Sequence, residues 1–117
     1  MKAVDTNILL RFVVRDDETQ FAAASAFLNS RTIEDPAFVS LIVLVEFVWA
    51  LRQRYGYDRA KVRALVLNLL ETAEMAFEDE HRLSGLVLEA DRGDLADHLI
   101  AYSATSAGCS SVVTFDR

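Results

Sequence analysis

A long apolar run in the middle of the sequence limits most strongly what this chain can fold into. The stretch SLIVLVEFVWALRQRY, from Ser40 to Tyr55, is too long and too continuously apolar for an ordinary strand. It follows the short segment AFVS, which comes after Pro36. We therefore predict a short strand that ends at Ser40, with this serine as the N-cap of a largely buried helix from Leu41 to about Tyr55.

Short strands and helices alternate along the rest of the chain as well. Strands are predicted from Lys2 to Asp5, in AEMAF, and in SSVVTF, which leads into Asp116. A first short helix, Ile8 to Val13, would be capped by Thr6 or Asn7. Such alternation implies right-handed crossovers and a mostly parallel sheet covered on both faces, which is an α/β fold. The further predicted helices are TQFAAASAFLNS, YDRAKVRALVLNLLE with Asp58 as its cap, EDEHRLSGLVLEA and GDLADHLIAYSATSAG.

Composition indicates one globular domain. The 117 residues can bury a single core, and 52% of them are hydrophobic while 26% are charged. No apolar run has the length of a membrane span and no signal-peptide pattern precedes the first strand, so we expect a cytoplasmic protein. The only cysteine, Cys109, cannot form an internal disulfide and is expected to be a small buried thiol.

The net charge of −6 argues against a surface built wholly for binding nucleic acid. Five of the twelve basic residues are nevertheless concentrated within a dozen positions. This cluster is either two solvated helix ends or a patch that contacts RNA, and the sequence leaves both open. Its members are Arg52, Arg54, Arg59, Lys61 and Arg63.

Several aspartates lie where a parallel sheet carries its functional site, beyond the carboxyl ends of the strands. Asp5 follows the first predicted strand and Asp116 closes the last one. Asp97 lies in the first turn of the helix that precedes that last strand. Each also has a structural interpretation: Asp5 in a cap, Asp94 and Asp97 as an N-cap and its reciprocal partner, and Asp116 in a turn.

Glu46 is the residue that a purely structural interpretation does not explain. It stands among ten apolar residues in LIVLVEFVWAL, where an isolated buried charge would cost several kcal/mol. Positions 42, 43, 49 and 50, one helical turn away on either side, hold no lysine or arginine. The missing positive charge is then a distant arginine or a metal ion. Oxygen ligands without histidine or cysteine suit Mg²⁺ or Mn²⁺, which can activate water for phosphodiester cleavage.

Four stretches of the sequence resemble PIN-domain ribonucleases, and among them the VapC toxins of bacterial and archaeal toxin–antitoxin pairs. They are VDTNIL, VSLIVLVEFVWAL, GDLADHLIAYSA and VVTFDR, in an order and spacing that span nearly the whole chain. The resemblance implies a three-layer α/β/α fold with a central, mostly parallel sheet. It also implies that Asp5, Glu46, Asp97 and Asp116 surround one or two Mg²⁺ or Mn²⁺ ions and that the protein is a metal-dependent endoribonuclease.

The same resemblance assigns further residues and partners. Asn7, Ser40 and Thr114 align with polar residues that line the acidic pocket, and Asp94 aligns with an occasional additional acid. The family pattern implies a homodimer and a VapB-like antitoxin whose tail covers the pocket, with transfer or ribosomal RNA as frequent targets. We expect residues 1–117 to form one PIN domain. Family members usually continue past the final aspartate, whereas this sequence stops at Arg117, so a short C-terminal segment could be missing.

Other functions fit the residues less well. A phosphoaspartyl phosphatase wants a second aspartate two residues after the first, where this chain has Asn7. A response-regulator receiver needs a lysine after a late strand, and the only lysines are Lys2 and Lys61. A catalytically inactive PIN-like module that binds protein or RNA remains open. Apolar residues on the helices from Asp16 to Asn29 and from Leu41 to Arg63 are expected to serve self-association and antitoxin binding.

Overall fold

A small parallel sheet organises the chain, as the sequence predicted. The computed structural model describes residues 1–90 and 92–115. Its strands are β1 (Lys2–Ala3), β2 (Ala37–Val39) and β3 (Met75–Phe77), in the spatial order β1-β2-β3. Both pairings are parallel, with Lys2 opposite Ala37 and Ala37 opposite Met75. The carboxyl ends of the three strands therefore lie at one edge of the sheet.

Six helices occupy the remainder of the described chain. Two of them connect β1 to β2 and two connect β2 to β3, as parallel pairing requires, and the last two follow β3. The arrangement is a three-layer α/β/α fold with a central parallel sheet. None of these helices is long and apolar enough to cross a membrane. They are α1 (Thr6–Val14), α2 (Glu18–Asn29), α3 (Leu41–Gln53), α4 (Arg59–Leu70), α5 (Glu80–Glu89) and α6 (Leu95–Ser106).

Four of the helices begin at a side chain that accepts a hydrogen bond from the backbone N–H three residues later. The caps predicted at Ser40 and Asp58 are confirmed. The cap expected at Thr6 or Asn7 is wrong, because Asp5 has the extended backbone that suits an N-cap and α1 begins at Thr6. The four pairs are Asp5 with Ile8, Asp17 with Gln20, Ser40 with Val43 and Asp58 with Lys61.

Helix α3 is largely buried or half-buried, as expected, but one stripe along it is exposed. Leu44, Phe47, Val48 and Leu51 form its core face. The opposite stripe is exposed although it is partly apolar, and its members recur at helical spacing: Ile42, Glu46, Trp49 and Gln53. The rest of the core comes from the strands and the facing sides of the other helices, including Leu9, Leu10, Val39, Val62, Val66, Leu83, Val87 and Leu99.

The strand predicted in SSVVTF is wrong for the part of it that the structure describes. Within the described chain, residues 111–115 are not assigned to a strand and are exposed, with Val113 and Phe115 almost fully accessible. An alternating apolar pattern becomes a strand only when a neighbouring backbone pairs with it, and among the described residues β1 pairs with β2 alone. Cys109 is also exposed, contrary to the expected buried thiol. Asp116, the end of the predicted strand, lies outside the described residues.

Candidate acidic site

Asp5 lies at the carboxyl edge of the sheet, directly between β1 and α1. Val4 donates a backbone hydrogen bond to Phe38 of the neighbouring strand segment, so the chain is still held to the sheet one residue before Asp5. The Asp5 Oδ1 atom accepts a hydrogen bond from the Ile8 N–H at 3.2 Å. No hydrogen bond within the described residues engages Oδ2, and the side chain is exposed. The cap orients this carboxylate without neutralising it.

Glu46 is exposed, so the expectation of a buried carboxylate is wrong. The reason is geometric: position 46 falls on the outer stripe of α3, opposite Phe47 and Val48. Its Oε1 atom accepts a hydrogen bond from the Thr6 hydroxyl at 3.1 Å. Thr6 is the first residue of α1 and follows Asp5 in the chain. The contact therefore holds the Glu46 carboxylate to the start of α1, at the residue that follows Asp5.

Asp94 has a different environment from the other predicted site residues. It accepts hydrogen bonds from Arg52 Nε at 2.8 Å and from Arg59 Nε at 3.0 Å. Partial burial acts to raise the pKa of Asp94, but hydrogen bonds and charge from the two arginines outweigh it and lower the pKa below its ordinary value. Asp94 occupies the N-cap position of α6 without a side-chain capping bond, so the expected Asp94–Asp97 capping pair is not formed.

Asp97 lies on the first turn of α6, where that helix packs along α3. A small cavity of about 100 Å³ between these helices is lined by Asp94 and Asp97 from α6 and by Trp49, Arg52 and Gln53 from α3. Trp49 is one helical turn beyond Glu46 on the same exposed stripe. Asp97 thus lies beside the second half of α3, which follows Glu46 in the helix, and it shares this cavity with Asp94.

Three of the predicted metal ligands have no cationic partner among the residues that the structure describes. Within residues 1–90 and 92–115, no lysine or arginine forms an ion pair with Asp5, Glu46 or Asp97. Other aspartates do have such partners: Asp16 pairs with Arg11, and Asp94 pairs with two arginines. Within the described part of the chain, the negative charge at these three positions is therefore not balanced by an ion pair.

The donors suit a hard divalent ion, but the described residues do not complete a site for one. The available ligands are carboxylate and hydroxyl oxygens, the type that Mg²⁺ and Mn²⁺ prefer. In the part of the chain that the structure describes, no three Asp, Glu, His or Cys side chains lie close enough to hold an ion. Asp5 and Glu46 both lie at the carboxyl edge of the sheet, at the start of α1. Asp97 lies on α6, beside the second half of α3, and Asp116 is outside the described residues.

The predicted pocket-lining residues are distributed around this edge. Asn7 lines a cleft next to Asp5. The Ser40 hydroxyl accepts the Val43 N–H as the α3 cap, at the carboxyl end of β2. Thr114 lies in the exposed segment after α6 and Asp94 is bound by arginines. Of these four residues, Asn7 and Ser40 therefore lie nearest to the end of β1 and β2 where Asp5 is found.

Two contributors at this edge were missed from the sequence. Thr6 was considered only as a cap, although its hydroxyl holds Glu46. Glu78 follows β3 directly, and its Oε1 atom accepts the backbone N–H of Leu41 at 3.0 Å. A hydrogen bond from the Glu78 N–H to the Val39 carbonyl continues the sheet contact. The position of Glu78 after a predicted strand was the signal that could have identified it.

Most members of the basic cluster contact other groups of the same chain. Arg52 and Arg59 hold Asp94, and Arg63 donates to the carbonyls of Val87 and Leu88 at the end of α5. Lys61 lies 4.1 Å from the centre of the Tyr57 ring. Arg54 is exposed and makes no recorded contact of this kind among the described residues. Arg52, Arg59 and Arg63 thus link α3, α4, α5 and α6, while Arg54, Arg59 and Lys61 stay exposed at the surface.

An apolar groove borders Glu46. It has a volume of about 470 Å³ and lies between the first half of α3 and the second half of α6. Ile42 and Ile100 are exposed along it. The exposed apolar surface of α2 is smaller than the sequence predicted, because the Phe21 ring stacks on Phe12 and is covered by the Arg15 guanidinium.

The chain was also compared with models of protein families. The family model described as PIN domain matches residues 2–117. The match includes both halves of the acidic edge, the segment from β1 to α1 and the segment from β2 to α3. Among curated proteins, none matches this chain.

Proposed function

The chain belongs to the PIN domain family, generally a metal-dependent nuclease fold, and from that premise we propose that it is a Mg²⁺- or Mn²⁺-dependent endoribonuclease and the toxin of a VapC-type toxin–antitoxin pair. The observation that carries the proposal is the 3.1 Å hydrogen bond from Thr6 to Glu46, which holds this glutamate to the residue that follows Asp5 at the carboxyl edge of the sheet. Transfer or ribosomal RNA is the proposed substrate class.

Asp5, Glu46, Asp97 and Asp116 are the residues that we propose to hold the metal. The ion would activate a water molecule and stabilise the leaving oxygen of an RNA phosphodiester. Support comes from the three described acids, which have no lysine or arginine partner within residues 1–90 and 92–115. Their negative charge is therefore available to a bound cation, because no ion pair with a lysine or arginine of the described chain balances it.

The chain's own groups supply the orientation of these acids. The Ile8 N–H fixes one oxygen of Asp5, and the Thr6 hydroxyl fixes one oxygen of Glu46. Both carboxylates are exposed, so a polynucleotide can approach them without displacing a core element. Leu41 N–H, held by Glu78, and the Ser40 cap fix the start of the helix that carries Glu46. Pre-oriented ligands of this kind lower the cost of arranging the site.

A cleavage assay on Glu46→Gln tests this function. The amide oxygen of the new side chain would still accept the Thr6 hydrogen bond, so the fold should be retained while a metal-holding charge is lost. We expect wild-type protein to cleave RNA with Mg²⁺ or Mn²⁺ and to stop in EDTA, and Glu46→Gln to be inactive at the same melting temperature. Glu71→Gln, an exposed glutamate at the end of α4, is the matched control and should cleave normally. Undiminished wild-type cleavage in excess chelator would contradict the metal-dependent mechanism.

Self-association and an antitoxin are proposed as partners. The exposed stripe of α3 with Ile42 and Trp49, together with Ile100 on α6, supports an apolar contact surface beside Glu46. A second copy on this surface would give a homodimer, and a VapB-like antitoxin that reached Glu46 would cover the acidic edge. We also propose that residues 1–117 act as one PIN domain.

A catalytically inactive PIN-like binding module is the second candidate. One observation favours it: within the described residues, no three acidic, histidine or cysteine side chains lie close enough to hold an ion. Such a module would bind RNA or protein without turnover and without metal dependence. RNA binding in gel-shift experiments, combined with no cleavage in Mg²⁺ or Mn²⁺, would favour this candidate over the nuclease.

A further inference from the structure

A second cleft opens on the other side of Asp5, between α1 and α2. Its volume is about 400 Å³, which is within the range of about 300–1,000 Å³ typical of small-ligand pockets. Ile8, Ala23 and Ala24 supply its apolar surface, while Asn7, Arg11 and Gln20 supply polar groups. No residue of this cleft other than Asp5 and Asn7 is used by the proposed catalytic site.

The polar groups of the cleft differ in how far they are already engaged. Arg11 donates through Nη1 to Asp16 at 2.8 Å and to the Tyr55 hydroxyl at 3.5 Å, so its charge is balanced and its plane is held. The side-chain amides of Asn7 and Gln20 make no hydrogen bond within the residues that the structure describes. The cleft therefore has two free amides and one oriented guanidinium around an apolar floor.

Charge decides which part of an RNA chain suits this cleft. A phosphate group would meet the uncompensated Asp5 at one end and an arginine already paired with Asp16 at the other. A nucleobase is neutral, has apolar faces, and has polar edges that amides and guanidinium groups recognise by hydrogen bonding. The lining favours a base over a phosphate.

We propose that the cleft between α1 and α2 holds one base of single-stranded RNA next to the cleaved bond, with Asn7, Gln20 and Arg11 reading its edge. This subsite rests on the proposed nuclease function, because Asp5 joins the cleft to the acidic edge. The base packs on Ile8, Ala23 and Ala24, and the amides donate and accept at its polar edge. The cleft then determines which nucleotide is preferred beside the cut.

The test uses two alanines that are neighbours on α2. Ala23 lines the cleft and Ala22 does not, although both are exposed. Ala23→Leu should fill the cleft, and Ala22→Leu is the control of equal volume change on the same helix. The probes are the four ribonucleosides, inorganic phosphate and a short apolar peptide, each added at millimolar concentration. The readout is the NMR signals of the Asn7 and Gln20 amides and of the Ala24 methyl group.

We expect at least one nucleoside to shift these signals in the wild type and in Ala22→Leu, and to bind about tenfold more weakly to Ala23→Leu. Gln20→Ala should reduce the difference between nucleosides more than it reduces average binding. Shifts from phosphate or the peptide without shifts from any nucleoside would overturn the proposal, as would equal effects of the two leucine variants.

The proposed function and this subsite can fail separately. Absence of RNA cleavage by the wild type, with nucleoside shifts retained, would count against the nuclease and leave the base subsite supported. RNA cleavage with unchanged base preference in Ala23→Leu and Gln20→Ala would support the nuclease and overturn the subsite.

Discussion

Two acidic regions along α3 are stabilised in opposite ways. Near the middle of the helix, Glu46 accepts a hydrogen bond from a neutral hydroxyl, that of Thr6. In the last turn of α3, Arg52 forms an ion pair with Asp94, which precedes α6. Arg59 of α4 forms an ion pair with the same carboxylate. The first region keeps its negative charge, whereas the second is neutralised by the protein itself.

This difference separates a candidate cation site from a structural link. A neutral hydrogen bond orients a carboxylate but leaves its charge for another cation. An aspartate between two guanidinium groups gains little from a further cation, which would have to compete with both arginines. The resemblance to the family gave Asp94 and Glu46 neighbouring roles in one pocket, and their contacts now distinguish them. The predictions below test that distinction, beginning with the largest expected effect.

Among the variants that compare the two regions, Asp5→Asn should give the largest effect on activity. Asparagine still caps α1, so stability in the absence of metal should stay within about 1 kcal/mol of the wild type. Cleavage should fall by about 100-fold or more, since loss of a direct metal ligand exceeds typical losses from its supporting groups. Added Mg²⁺ should raise the melting temperature of the wild type more than that of the variant. Thermal melting with and without Mg²⁺, beside a cleavage assay, measures both effects.

Asp58→Asn provides a matched control for that experiment. Asp58 caps α4 with the same backbone geometry as Asp5 caps α1, but it lies away from the acidic edge. It should change neither cleavage nor the stabilisation by Mg²⁺. If Asp5→Asn instead melts well below the wild type and still cleaves RNA, Asp5 is only a cap.

Trp49 lies on α3 between the two regions and tests whether a partner covers both. The side chain is 52% exposed, so the single chain does not bury it. If a second copy packs on this stripe, Trp49→Glu should weaken self-association by about 2 kcal/mol or more, as for a central aromatic contact. Sedimentation over a range of concentrations measures the change. Ile33→Glu is the control, since Ile33 is also exposed but lies outside α3; an equal effect of both substitutions would contradict this surface.

Asp94→Asn should lower the free energy of unfolding by about 1 kcal/mol at neutral pH, because two partly exposed ion pairs are lost. The sign follows from the lowered pKa of Asp94. Its contribution is complete above the ordinary value of 3.8 and disappears as the pH falls through the lower value in the folded protein. Wild type and variant should therefore converge in stability below about pH 3.8.

Urea denaturation at several pH values measures this convergence. Cleavage should fall less in Asp94→Asn than in Asp5→Asn if the second region is a structural link. A stability difference that persists unchanged below the ordinary pKa would show that the ion pairs are not its origin. A loss of Mg²⁺ stabilisation as large as that of Asp5→Asn would assign both aspartates to one site.

Local chemistry predicted much of the fold. The caps at Ser40 and Asp58 depend on side chains within three residues of their partners, and the three parallel strands follow from short apolar segments between helices. The strand in SSVVTF was wrong because pairing depends on a distant backbone, which an alternating pattern does not specify.

The acidic site was harder to predict for the same physical reason. Glu46 looked buried because the outer face of α3 also carries Ile42 and Trp49, so composition alone did not separate its two sides. Its partner Thr6 is 40 residues away, and the Asp94 partner Arg52 is 42 residues away. Residue type indicated which acids to consider, while contacts across the chain determined their surroundings.

Thr6→Val should give the smallest effect and isolates the hydroxyl that defines the first region. Valine keeps the shape of threonine, so the change removes only the donor to Glu46 and should cost about 0.5–1.5 kcal/mol or less, because the contact is exposed. Cleavage should fall several-fold, since Glu46 keeps its charge but loses its fixed orientation. Thr6→Ser restores a hydroxyl and should recover most of the activity, whereas a purely structural role for Thr6 would move the melting temperature and cleavage together. If Thr6→Val cleaves RNA at the wild-type rate, the hydrogen bond from Thr6 to Glu46 has no role in the site. The two regions of α3 would then differ only in the arginines that bind Asp94.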